Sequence, residues 1–130
     1  MKVGGRADLI ASTQDSPSRE DATEIHYQSF TSLIKKAVIE QQGKIRTTIK
    51  LEGVQQGKDG REWLPFTLRM YFYAGNEQIK MVHSFIYDGD QNKDFIRSLG
   101  VRFQVPMRED LYNRHVAFAC ADGGVWERTG

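Results

Sequence analysis

Two stretches of two-residue alternation leave this chain little choice but extended strands. In residues 45–52 (IRTTIKLE), Ile45, Thr47, Ile49 and Leu51 fall on one side of a strand, and Arg46, Lys50 and Glu52 on the other. In residues 66–73 (FTLRMYFY), Phe66, Leu68, Met70 and Phe72 oppose Thr67, Arg69, Tyr71 and Tyr73. Each strand therefore has an apolar side to bury and a polar side to leave in water.

Turn signals punctuate the rest. Residues 53–63 (GVQQGKDGREW) read as a turn built on Asp59-Gly60, and residues 74–77 (AGNE) as another. Further strands are expected over 79–87, over 95–105 up to Pro106, and over 115–119. Residues 30–42 have a helical rival, because Leu33, Ile34, Ala37 and Val38 suit one helix face. Gly43 and Lys44-Ile45 lead straight into the next strand, which favours two strands joined near Gln41-Gln42-Gly43. Residues 1–24 read as a linker or the end of a preceding domain, with one short strand near 8–12, and residues 25–130 as the folded domain. Successive strands without intervening helices give an all-β fold, an antiparallel β-sandwich.

Composition narrows the function classes. The 130 residues make one domain with a real core. A formal net charge of +1 supplies no field for nucleic acid or an anionic membrane. No apolar run approaches the ~20 residues that span a bilayer, and the start carries no signal-peptide apolar region. Cys120 is the single cysteine, so neither an internal disulfide nor a thiolate metal cluster can form.

Four constellations carry chemistry. Residues 87–95 (YDGDQNKDF) place Asp88, Asp90, Asn92 and Asp94 at alternate positions, like the start of a calcium loop. Counting from Asp88, the sixth and twelfth places hold Lys93 and Leu99 instead of Gly and Glu, and the flanks are strands, so an EF-hand is excluded. A hydrophilic turn is the plain reading; a looser oxygen cage for calcium is the rival. Arg69, Tyr71 and Tyr73 share a strand face, with neighbours ~7 Å apart. A guanidinium beside phenol rings suits a sugar carboxylate, and a solvated sheet face is the plainer account.

Of the histidines, His83 shares an apolar side with Met81 and Phe85, His115 follows Arg114 near a strand start, and His26 stands alone. Arg97 sits in a row with Phe95, Leu99, Val101 and Phe103. It requires either an edge position or a partner, Glu52, Glu62 and Asp94 being the candidates, or else it contacts a ligand. No nucleophile elbow, phosphate loop or dinucleotide fingerprint is present.

The stretch from Ser29 to Trp126 resembles a segment of the rhamnogalacturonan exolyase-like polysaccharide lyases, large bacterial and fungal proteins. The most specific pieces are RMYFYAG (69–75), HSF (83–85) and DFIR (94–97). Such proteins string together a β-barrel, a central β-sandwich and a helical toroid, and this chain resembles the sandwich alone. The resemblance implies β-elimination on pectin-type glycans that contain uronic acids. A cation neutralises the carboxylate, a base takes the adjacent proton, and an acid meets the leaving oxygen. Candidates are Arg69, Arg97 and Arg114 for the first role, His83 and His115 for the second, and Tyr71 and Tyr112 for the third, with Tyr73 lining the sugar. The same resemblance implies an acidic polysaccharide and the flanking domains of the parent protein as partners, and a secreted or periplasmic location. It also implies little activity from this chain alone. A non-catalytic carbohydrate-binding or bracing module is the alternative.

Overall fold

The computed structural model describes residues 6–17, 26–119 and 121–129. The strands are β1 (Arg6–Gln14), β2 (Tyr27–Gln42), β3 (Arg46–Gln56), β4 (Glu62–Tyr73), β5 (Ile79–Phe85), β6 (Phe95–Gln104), β7 (His115–Ala119) and β8 (Val125–Thr129). Among the described residues the only helical element is a 3-10 turn at Leu111–Asn113. The fold is the all-β antiparallel class that the alternation dictates, and the rival helix over 30–42 is part of the long strand β2.

One sheet runs in the order β5-β4-β3-β2-β1-β6, and β7 pairs with β8. The successive pairings from β1 through β5 are antiparallel. The compact units are residues 8–102, which hold most of the sheet, and residues 1–7 with 103–130, which hold the β7–β8 hairpin. Cys120 lies outside the described residues, as do 1–5 and 18–24 of the expected linker.

Cross-strand register sorts the side chains. Met70 faces Ile49 and Met81, and Leu68 faces Leu51 and His83, so these residues share one inner apolar face. Thr48, Tyr71 and Lys80 line up on the opposite, outer face. Register shifts in β2 and between β3 and β4 bend the strands, as an extra residue in one partner does. One such bend is at Leu64, where the backbone turns to a φ of +47° directly before Pro65 and its N–H donates to Asp88 Oδ1 at 2.7 Å. The bending brings the start of β4 onto β6. Ala11, Phe30, Trp63 and Leu64 form the core, with Ile96 and Leu99 packed against it. Phe30 meets the Trp63 ring edge-on at 5.2 Å, a favoured aromatic geometry.

Three sequence expectations need correction. The turn between β3 and β4 is only residues 57–61, because Gly53, Gln55 and Trp63 remain in strands. Gln55 is fully buried and held by Ser32 Oγ at 3.0 Å, a contact that its polar side chain does not advertise. Ile45 faces solvent at 78% exposure, since the β2–β3 turn ends on it. Arg97 pairs with none of its three expected carboxylates: Glu52 binds Lys50, Glu62 binds Lys35 and Asp94 binds Arg61. It is exposed and lies over the Tyr27 ring at 3.6 Å, which removes the burial problem that called for a charge partner.

Candidate functional site

The oxygen-rich turn between β5 and β6 is tied up by the protein itself. Asp94 holds both Arg61 guanidinium nitrogens at 2.7 Å and also accepts the Asp90 N–H. Asp90 Oδ1 accepts the Asn92 N–H, and Asp88 accepts that of Leu64. Arg61 in turn lies over Trp63 at 4.7 Å, so the turn is anchored to the core. The arginine fork, aided by the backbone N–H, holds the Asp94 carboxyl below its usual range. No cluster of metal-ligating side chains exists among the described residues.

Alternation along β4 and β5 aims the outer face at solvent, and there the charges fall into two zones. In one, Arg69 grips both oxygens of Glu40 across β3, at 3.0 and 3.3 Å, and Lys50 pairs with Glu52 at 3.3 Å. The Arg69 hydrogen bond lowers the Glu40 pKa, and Glu40 raises that of Arg69. This zone is self-neutralised. In the other, Arg46 and Lys80 flank the Tyr71 ring at 5.7 and 5.6 Å. Arg46 is steadied by Gln41 Oε1, a neutral acceptor, and stands opposite Tyr73. Neither Arg46 nor Lys80 has a carboxylate partner among the described residues. Two uncompensated cations beside phenol rings can take an acidic sugar.

His83 is on the inner face between Phe66 and Phe85, with ring separations of 5.9 and 6.1 Å. Burial lowers its pKa, and its Nε2 is enclosed without a hydrogen-bond partner among the described residues. The structure thus separates His83 from Tyr71, Tyr73 and Arg69 by the thickness of the sheet. In the smaller unit, Arg114 Nε donates to the Glu109 carbonyl at 2.6 Å, His115 Nε2 lies 2.8 Å from the Tyr112 carbonyl, and Tyr112 donates to Asp110 at 3.2 Å. Arg97 is placed apart from the outer wall, in a cleft between β1, β2 and β6.

Sequence reasoning overlooked Arg46 and Lys80 beside the Tyr71 ring, and Tyr27, Ser12, Ser98 and Arg102 around Arg97. Alternation alone would have placed Arg46 beside Tyr71 once the β3–β4 register was known. The Tyr27–Arg97 contact joins segments too distant for any local pattern to reveal.

An all-β antiparallel sandwich with a basic, phenolic outer face defines the class of module. The chain belongs to the PcRGLX-like protein central β-sandwich domain family, whose model matches residues 1–129, in keeping with the lyase-like resemblance of its strands. It is 38% identical over 124 residues to a protein of Bacillus subtilis (strain 168) called Uncharacterized protein YetA. That match takes in 95% of this chain, and the chain spans 14% of the relative's length. No solved structure matches it.

Proposed function

We propose that this domain serves a protein that cleaves uronic-acid-containing glycans of the rhamnogalacturonan type by β-elimination, and that it lines one wall of the substrate cleft. The observation that supports this is the Arg46–Tyr71–Lys80 row, in which both cations lack an acidic partner among the described residues. The sugar carboxylate sits against the cations, and a pyranose ring packs on the exposed phenols. Neutralising the carboxylate is also what makes the adjacent carbon acid ionise. The base comes from elsewhere in the protein, because His83 faces away from this wall.

Titration calorimetry with oligogalacturonate tests the wall. Binding should weaken with salt and fall about tenfold or more in Arg46→Gln/Lys80→Gln, given ~1.5–3 kcal/mol for a hydrogen bond to a charged group. Equal binding of neutral galactan would remove the role of charge. A bracing role is the second reading, and the open apolar inner face of β2–β5 favours it. A parent protein whose turnover is untouched by the double substitution would decide for the brace.

A further inference from the structure

One edge of the large sheet is open. In the order β5-β4-β3-β2-β1-β6, strand β5 has β4 on one side, and nothing pairs with its other side among the described residues. The Ile86 N–H donates to the Pro65 carbonyl at 2.9 Å, one step beyond the Phe66–Phe85 pair. Hydrogen bonding alternates along an antiparallel pair, so Ser84, Val82 and Lys80 also bond inward to β4. Ile79, Met81, His83 and Phe85 therefore aim their N–H and C=O groups outward, and no backbone group among the described residues takes them.

Such an edge invites another strand unless something blocks it. At the far edge, β6 carries Arg97, Gly100 and Arg102. By contrast β5 has neither proline nor glycine, its register with β4 is unbroken, and Lys80 lies on the outer face. Its own sequence fits a second copy of itself. An antiparallel β5–β5 pair centred on Val82 sets Ile79 opposite Phe85, Met81 opposite His83 and Lys80 opposite Ser84. Every outward-bonding residue then meets another of the same kind, no charge faces its like, and the inner apolar side runs on from one copy to the next. Centring the pair on Met81 or His83 leaves Phe85 or Ile79 beyond the end of the ladder. A one-residue slip sets an outward-bonding residue against an inward-bonding one.

We propose that β5 is a homodimerisation edge: two copies of this chain pair their β5 strands antiparallel about a two-fold axis at Val82, joining two sheets into one. Backbone hydrogen bonds supply the attraction, and the alternating side chains fix the register. The same residues serve on both copies and the pairing uses up both edges, so it closes at the dimer. It needs no glycan and does not rest on the proposed function.

Sedimentation equilibrium of the intact chain tests it, in an Ile39→Glu background that mutes the apolar face on β2 and leaves β5 untouched. A monomer–dimer equilibrium should persist there, with dimer present by ~1 mM. Val82 is exposed, and on the axis it would lie in a non-hydrogen-bonded pair, ~4.5 Å from its counterpart. Adding Val82→Lys or Val82→Glu should each weaken the dimer about tenfold or more, since like charges are set face to face. An equal mixture of the two should recover it, because position 82 meets itself. The backbone bonds of residue 82 to β4 stay in place, so the variants should keep the circular dichroism of the unaltered chain. The proposal is overturned if the Ile39→Glu chain is monomeric throughout, if either charged variant dimerises undiminished, or if the mixture stays as weak as its components.

Discussion

Arg69 and His83 leave adjacent strands on opposite faces of one sheet: Arg69 stands opposite Val82, and His83 opposite Leu68. A carboxylate held by the first is therefore out of reach of the second, and the two cannot serve one elimination within this sheet. Arg69 is further occupied by Glu40. Replacing Arg69 with Gln should consequently harm glycan binding indirectly, by leaving the Glu40 carboxylate bare on the wall. The expected result is several-fold weaker oligogalacturonate binding in Arg69→Gln and recovery in Arg69→Gln/Glu40→Gln. A double variant as weak as the single one would instead make Arg69 a direct contact.

Acid should destabilise the fold in two windows. His83 has its folded pKa depressed by burial, so the unfolded chain takes up its proton first, and stability should decline as pH drops below the ordinary histidine value of ~6.5. Asp94 is depressed by Arg61, so its contribution is complete above its unfolded value of ~4 and is lost as pH falls through the lower folded one. Urea midpoints against pH should show both declines. His83→Gln should remove the upper one, and Asp94→Asn the lower one at a cost of about 1–3 kcal/mol at neutral pH.

Gly53 sits where β2 and β4 close in on β3. A Cβ there would meet the Leu33 carbonyl oxygen, and lie 2.7 Å from Phe66 Cζ. Since one of these neighbours is backbone, relief requires the strands to part. Gly53→Ala should cost about 1–3 kcal/mol, the usual range for overpacking, measured by chemical denaturation. No loss would mean that the strands part around Gly53 at little cost.

Calcium should not stabilise the protein. The Asp88, Asp90 and Asp94 oxygens already accept N–H groups, and Asp94 faces the Arg61 fork at 2.7 Å. The melting temperature should be unaffected by millimolar calcium, whereas a rise that Asp90→Ala abolishes would restore the oxygen cage.

The inner face beyond the core remains open. Ile34, Ile39, Ile79 and Phe85 are 51%, 61%, 53% and 47% exposed on it. A continuous apolar surface of this kind drives association in water. Light scattering should show mass rising with concentration, and Ile39→Glu/Ile79→Glu should suppress that rise without unfolding the chain. A sharp monomer at high concentration would contradict it.

The legible parts of this fold were the local ones. Alternation assigned the faces of β4 correctly, and put His83 with Met81 and Phe85, because side-chain direction in a strand depends only on parity. Curvature was not legible. It depends on Leu64 entering the left-handed region before Pro65 and on Gln55 tolerating full burial, and neither residue type announces such behaviour. The charge partners were hidden for a different reason. Asp94 could have met several cations on composition alone, and only the curl of the sheet brings it to Arg61 rather than Arg97.

The account's central claim is that acidic glycan meets the outer wall of the sheet. Side-chain NMR of Tyr71 and His83 during titration with oligogalacturonate tests it most directly, since the two rings lie on opposite faces. Tyr71 ring resonances should shift in a saturable way while those of His83 stay fixed at constant pH. Saturable movement of His83 with Tyr71 unmoved would contradict the account.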